Sequence, residues 1–230
     1  MKNTSVSVII PVFNETTTVQ QIIDRILKLD FVRELVIVED GSTDGTQELL
    51  KENPVDQRVK IFFHEKNSGK GVAINTGLKN ATGEIIAIQD ADLEYNPEEL
   101  RRLIAPIVSG RAEVVYGSRF LDIRPSGMYF FNRLGNLALT FLTNLFYGCR
   151  LTDMETGYKV FKRSAVEGVE IKSRDFSVEP ELTAKILKRR FTIYELPISY
   201  AGRGYGKGKK IKWIHGFSAL WAILKYRFVD

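Results

Sequence analysis

Two rhythms of apolar and polar positions alternate along the first half of the chain. Residues 5–12 (SVSVIIPV), 34–40 (ELVIVED), 58–65 (RVKIFFHE), 84–90 (EIIAIQD) and 112–118 (AEVVYGS) are short apolar runs rich in Val and Ile, the mark of buried strands. The segments between them carry apolar residues at helical spacing. Val19, Ile22, Ile23, Ile26 and Leu27 share one face of a helix. Residues 44–53 predict a short helix with Ser42, Thr43 or Asp44 as its N-cap, and 69–81 predict another. Residues 96–110 predict a third, with Pro97 in its first turn. Strands that alternate with helices imply a parallel sheet wrapped on both faces. Ligands of such sheets sit beyond the carboxyl ends of the strands. That rule gathers Asp40, the acids that follow residue 89, and Ser118-Arg119 at one rim.

After about residue 120 the rhythm changes. Residues 128–148 (MYFFNRLGNLALTFLTNLFYG) are apolar on most faces and read as helix. Residues 157–163 and 192–200 read as short strands, with a helix over 178–190 between them. Residues 211–228 close the pattern as an amphipathic helix. The apolar run from Leu134 to Tyr147 contains Asn136 and Asn144 and falls short of the roughly 20 residues a membrane span needs, so a buried or interface-lying helix is expected. In the last segment Trp213, Ile214, Phe217, Leu220, Trp221 and Leu224 recur at helical spacing behind a lysine cluster. That combination fits a helix lying among lipid headgroups; a terminal helix packed on the core is the competing reading.

With 230 residues, one domain with a full core, or a core with a substantial insertion, is expected. The lone Cys149 excludes an internal disulfide, and His64 and His215 offer no zinc-ligand spacing. The first residues carry no secretory-leader pattern. Net charge is +5, yet the stretch from Arg203 onward holds seven basic residues against one acid, so the excess positive charge belongs to the C-terminal end. A phosphate-bearing ligand or a membrane surface answers that charge. No nucleic-acid reader motif accompanies it.

Candidate chemistry concentrates in a few short stretches. Asp90, Asp92 and Glu94 occupy every second position after the fourth predicted strand, which in an extended chain puts three carboxylates on one face. Such neighbours repel one another and call for a counter-charge. A hard divalent cation, Mg²⁺ or Mn²⁺, answers it and leaves sites open for a diphosphate; a solvated loop capping the next helix is the plainer alternative. The turn after the first strand, Pro11-Val12-Phe13-Asn14-Glu15, has no glycine, so the dinucleotide fingerprint of dehydrogenases is absent. Asp40 could accept a hydrogen bond from a base N–H or simply form a turn. Gly69 and Gly71 flank Lys70 where a helix opens, an arrangement that favours an anion without being a P-loop.

Taken in order, VSVIIPVFNE, VEDGSTDGT, NSGKGVAINTGL, DADLEYNP, VVYGSRF, LTDMETGYKVF and ELPISY resemble the family 2 glycosyltransferases, in the dolichyl-phosphate mannose synthase-like branch that uses polyprenyl phosphates. The resemblance runs from about Ser5 to Lys210. It implies the GT-A nucleotide-diphospho-sugar transferase fold: α/β, a mostly parallel twisted sheet with helices on both faces, plus amphipathic interface helices. A catalytic domain over 1–202 is expected, containing an interface helix at about 129–148. Residues 203–230 would form a basic loop and a membrane-associating helix. By the same resemblance Pro11, Phe13 and Glu15 match the first nucleotide-binding loop and Asp40 the acid that reads the base; Lys70, from its place between two glycines at a helix opening, joins them as a donor-binding candidate. Asp90 and Asp92 match the D-x-D, with Asp92 the favoured direct metal ligand and Glu94 a third, at a position where mannose synthases often have glutamine. Arg119 and Arg133 match arginines that bind the acceptor phosphate, and Arg203 with Lys209, or with Lys210 in its place, a basic loop closing over the phosphates.

The implied reaction is metal-dependent, inverting transfer of a hexose, mannose or glucose, from a GDP- or UDP-linked donor to a dolichyl or undecaprenyl phosphate at the cytosolic face of a membrane. Such an acceptor, with a second pKa near ~6, is already ionised at neutral pH and needs charge screening rather than a base. Asp153 is therefore expected to orient a basic residue or the donor sugar more than to abstract a proton. Attachment would be peripheral or through a membrane-anchored partner subunit. Two rivals are a family member acting on a sugar hydroxyl, with Asp153 or Glu155 as a true base, and a non-catalytic nucleotide-sugar-binding module.

Overall fold

The computed structural model describes residues 4–52, 56–121, 127–202 and 215–229. Its frame is one seven-stranded sheet in the order β3-β2-β1-β4-β6-β5-β7. The strands are β1 (Val6–Val12), β2 (Val32–Glu39), β3 (Val59–Phe63), β4 (Ile85–Ile88), β5 (Val114–Ser118), β6 (Lys159–Lys162) and β7 (Ile193–Pro197). The helices are α1 (Val19–Leu27), α2 (Thr46–Glu52), α3 (Lys70–Asn80), α4 (Leu100–Val108), α5 (Phe130–Tyr147), α6 (Arg163–Val166), α7 (Val178–Lys188) and α8 (His215–Phe228). β1, β2, β3 and β4 are parallel, as are β5 and β7. β6 runs antiparallel to β4 and β5 and separates them, so the sheet is mixed where the alternation alone predicts parallel strands.

Burial on both faces explains the unbroken apolar runs. In β1, Val8 and Ile10 belong to one core with α1 and α4, while Ile9, one residue over, belongs to the other core with α3 and α7. Neighbouring strands repeat the alternation: Leu35 and Ile37 against Val36, Ile85 and Ala87 against Ile86. The predicted face of α1 is buried at Val19, Ile22, Ile23 and Ile26.

The helices of the second half depart from this rule. α5 buries Asn136, Thr140 and Thr143. It exposes Phe130, Phe131, Leu134, Leu137, Phe141 and Leu145, with Phe131 81% exposed. α8 sets Ala219, Ala222, Ile223 and Tyr226 against the protein and exposes Phe217, Trp221 and Phe228. The two helices meet, with Tyr147 Oη donating to the Ile223 carbonyl at 2.8 Å. Among the described residues no helix is long and apolar enough to cross a membrane.

Candidate active site

The segments that follow β1, β2, β3, β4 and β5 close the carboxyl end of the parallel strands. After β1 the chain turns at Asn14, whose φ of 51° is left-handed. Its N–H donates to Ser42 Oγ, and its Oδ1 accepts from Thr43 N–H, so the first loop is laced to the loop after β2. Glu15 is buried: its N–H donates to Thr46 Oγ1, and its Oε2 accepts from Thr18 Oγ1 at 2.6 Å. Pro11 lies in β1 beside Val38 of β2, and Phe13 follows at the rim, half-buried.

Asp40 is buried and accepts from the N–H groups of Ser68 (3.0 Å) and Gly69 (2.7 Å) and from His64 Nδ1 (2.7 Å). Both its turn and its acceptor character are thus used, to hold the loop that opens α3. The glycines of that loop answer to close packing. A Cβ on Gly69 would come within 2.0 Å of the Arg174 carbonyl oxygen, and one on Gly71 within 1.9 Å of that of Ser173. Gly71 N–H donates to the Arg174 carbonyl, so a chain segment takes a donor the sequence pattern leaves for an anion.

Lys70 lies between two carboxylates, 2.8 Å from Asp90 Oδ1 and 3.0 Å from Glu179 Oε1. Burial alone would push its ammonium toward neutrality, but Asp90 and Glu179 outweigh that and raise its pKa. Glu179 also pairs with the fully buried Lys159. Burial opposes its charge, yet the two lysines hold its pKa below the usual range. A line of alternating charge, Asp90–Lys70–Glu179–Lys159, therefore runs from the rim into the interior. Sequence reasoning did not single out Glu179 or Lys159, which fall within a predicted helix and a predicted strand. Their pairing spans β6 and α7 and leaves no local signal.

The D-x-D segment is not extended. β4 ends at Ile88, and Leu93 adopts a φ of 59°. The strand alternation that would set Asp90, Asp92 and Glu94 on one face therefore stops before it reaches them. Asp92 Oδ1 accepts from Glu94 N–H at 3.1 Å, and Glu94 Oε2 accepts from Tyr200 Oη at 2.7 Å. Among the described residues no three His, Cys, Asp or Glu side chains are grouped as a metal cage. Asp90 and Asp92 nonetheless offer the hard oxygen donors that Mg²⁺ or Mn²⁺ takes, and such ions commonly complete their shell with substrate phosphates and water. Asp90 has room only because residue 157 is glycine: a Cβ there would meet Asp90 Oδ2 at 2.2 Å.

On the other side of the rim, Arg119 follows β5 and is buried against Asp153. Its Nε lies 2.6 Å from Oδ2, an Nη 2.7 Å from Oδ1, and its backbone N–H also donates to Oδ2. Asn136 Nδ2 adds a fourth donor at 3.0 Å. An ionised carboxylate has about four acceptor positions, so Asp153 is fully engaged. Glu195 braces the same loop, accepting from the backbone N–H groups of Thr152 and Asp153. The expected orienting role of Asp153 thus has a concrete object in the Arg119 guanidinium. Phe120 joins the two predicted arginines, with the Arg119 and Arg133 guanidinium carbons 5.8 and 5.9 Å from its ring centroid. Arg119 also faces the Tyr200 ring at 5.3 Å, and Tyr200 reaches Tyr95, which stacks on Tyr158. Tyr200 thus ties Arg119 to Glu94. Arg203 and Lys209, together with Lys210, Trp213 and Ile214, lie outside the described residues.

Residues 7–169 match the model of glycosyl transferase family 2, and the chain belongs to that family. Among its relatives is the UDP-N-acetylglucosamine–dolichyl-phosphate N-acetylglucosaminyltransferase of Methanococcus voltae, 28% identical over 97% of this chain and 96% of that protein. Another is the dolichol-phosphate mannosyltransferase of Pyrococcus furiosus, 28% identical over 89% of this chain and 58% of that protein. The backbone also superposes on glucosyl-3-phosphoglycerate synthase from Mycobacterium tuberculosis in complex with UDP. There the TM-score is 0.76 at 19% identity, covering 100% of this chain and 82% of that one. The fold is the GT-A fold, and the family resemblance read from the motifs holds.

Proposed function

We propose that the protein transfers a hexose from a nucleotide-diphospho-sugar to a polyprenyl phosphate at a membrane surface, with inversion at the anomeric carbon. The observation that carries this is the pair of arginines across Phe120. Arg119 is locked in place by Asp153, Arg133 stands exposed on the first turns of α5, and the same helix turns its apolar face outward. A phosphate joined to a long hydrocarbon matches a cationic mouth beside an apolar surface. The relatives named for dolichyl-phosphate acceptors support the same acceptor class.

On the donor side, Pro11, Phe13 and Glu15 form one wall of the nucleotide pocket, and Asp40 reads the base from a loop it also holds. Asp90 and Asp92 would hold Mg²⁺ or Mn²⁺, with Glu94 tied to Tyr200 beside them. When bound, the cation neutralises charge on the departing diphosphate. Structures of glucosyl-3-phosphoglycerate synthase contain Mn²⁺ or Mg²⁺ with UDP, which supports this use of the fold. Lys70, held charged, lies within the same field and adds to it. Arg203 and Lys209, which lie outside the described residues, are assigned to the same phosphates by the family resemblance alone.

The acceptor needs no base. An ionised phosphate oxygen attacks the anomeric carbon, the bond from that carbon to the diphosphate breaks, and its electron pair leaves on the diphosphate oxygen. Arg119 and Arg133 screen the approach of one anion to another. Asp153, with its acceptor positions engaged, serves as the positioning residue of Arg119. The protein binds peripherally through α5 and α8, with residues 203–230 as a basic, membrane-associating segment that follows a catalytic domain over 1–202.

The test is a panel of radiolabelled GDP- and UDP-sugars incubated with a short polyprenyl phosphate and Mn²⁺, followed by organic extraction. One donor should carry label into the organic phase, and Arg119→Ala should abolish it. Label that stays aqueous with every donor overturns the reading.

A further inference from the structure

One polar atom beside the site takes no part in the transfer proposed above. Glu155 is part-buried, and its Oε1 is sealed from solvent with no hydrogen-bond partner among the described residues. Buried polar atoms are nearly always paired, so an unpaired carboxylate oxygen needs a reason. The location supplies one. Glu155 lies two residues from Asp153, which grips Arg119, and two residues from Gly157, which lies directly against Asp90. The segment 153–157 thus bridges the arginine assigned to the acceptor phosphate and the acid assigned to the donor diphosphate. Whatever carbon passes from diphosphate to phosphate must lie between those two groups. The sugar attached to it must therefore lie over this segment.

We infer that Glu155 reads the transferred sugar, its part-buried side chain turning so that Oε1 accepts a hydrogen bond from a hydroxyl or amide N–H of the donor hexose. The inference rests on the proposed transferase reading and adds a residue that sets donor-sugar specificity. A sugar hydroxyl both donates and accepts, so it can satisfy a carboxyl group in either protonation state. Both states are accessible. Burial and then repulsion from Glu179, with a smaller push from Asp153, raise the Glu155 pKa to about 7 against the opposing pull of Lys159 and Arg119. A site built to hydrogen-bond a substrate group discriminates strongly against a ligand that lacks it, because the buried partner is then left unsatisfied.

The experiment compares wild type, Glu155→Gln and Glu155→Ala by titration calorimetry in Mn²⁺. The probes are UDP, GDP, UDP-glucose, UDP-N-acetylglucosamine and GDP-mannose, and circular dichroism confirms that each variant is folded. The expected result is unchanged affinity for the bare nucleotide. The extra affinity of the accepted nucleotide-sugar over that nucleotide should fall about tenfold in Glu155→Ala, the loss of one good hydrogen bond. Glu155→Gln, with an amide that can still donate and accept, should keep most of it. Glu155→Ala binding the nucleotide-sugar like wild type would overturn the inference, as would a parallel loss for nucleotide and nucleotide-sugar. So would Glu155→Gln binding the sugar normally while losing turnover with an altered pH profile, since that marks a base. Failure of wild type to bind UDP or GDP at all would refute the transferase reading instead.

Discussion

Helices α1 and α5 pack against the same protein by opposite rules. α1 presents Val19, Ile22, Ile23 and Ile26 to the core and polar side chains to solvent. α5 presents Asn136, Thr140 and Thr143 inward and a row of Phe and Leu outward. Water drives the first arrangement, because burying apolar surface is the main favourable term in folding. It opposes the outward Phe and Leu of the second, so α5 relies on specific hydrogen bonds beside the packing of Leu139, Phe146 and Tyr147 against Leu151, Met154 and Ile223. Asn136 donates to Asp153 and accepts from Thr140, and Thr140 in turn accepts from Met154 N–H. The contrast teaches that the inward face of α5 is committed to positioning Asp153, and through it Arg119, while its outward face leaves a row of Phe and Leu exposed, the surface proposed above to meet lipid.

Breaking the polar side of that comparison should have the largest effect. Asp153→Ala leaves the Arg119 guanidinium buried without its counter-charge and should cost about 3–5 kcal/mol, read from the urea midpoint. Transfer activity should vanish with it. Next comes the apolar side: Ile22→Ala opens a cavity under α1 and should cost about 2–5 kcal/mol in the same assay. Asn136→Leu fits the usual idea of a better core residue, yet it strands a buried acceptor on Asp153 and should destabilise by about 1–3 kcal/mol.

Glu155 gives a pH test of smaller size. Its pKa is raised from 4.5 to about 7 in the folded protein, so the folded state holds the proton more tightly than the unfolded chain. Stability from this group is therefore fully present below about pH 4.5 and is lost as pH rises through about 7. Glu155→Gln removes that dependence. Its melting temperature should match wild type near pH 5 and exceed it by a few degrees, about 2–4 °C, at pH 8. The smallest stability change should come from Phe131→Ser with Phe141→Ser on the outward face of α5. Folding free energy should move by less than about 0.5 kcal/mol, while cosedimentation with anionic lipid vesicles is lost. Destabilisation by several kcal/mol with unchanged vesicle binding would mean that this face packs on protein.

The parallel half of the molecule was legible because each of its elements follows from local periodicity. β1 to β4 and the helices between them obey rules that see only a few residues at a time. The mixed half was less so. β6 enters between β4 and β5, and nothing within residues 157–163 announces its direction. The site divides in the same way. Asp40, Asp90, Arg119 and Asp153 stand out because each ends a strand or opens a loop in a recognisable motif. Glu179, Lys159 and the aromatic stack of Tyr95, Tyr158 and Tyr200 do not, because their partners are distant in sequence and meet only in the fold. The alternation argument failed at Asp92 and Glu94 for a definite reason: the backbone leaves the strand at Ile88 and turns at Leu93, so spacing by two no longer means a shared face.

The claim at the centre of this account is that the two arginines flanking Phe120 serve a lipid phosphate as the nucleophile. Its most direct measurement compares initial rates with farnesyl phosphate and farnesol as acceptors, using the donor that the labelled panel selects. Product is expected from the phosphate alone, formed without a rate limb that reports deprotonation of a hydroxyl. Equal transfer to farnesol, or transfer to a free sugar with none to farnesyl phosphate, would contradict it.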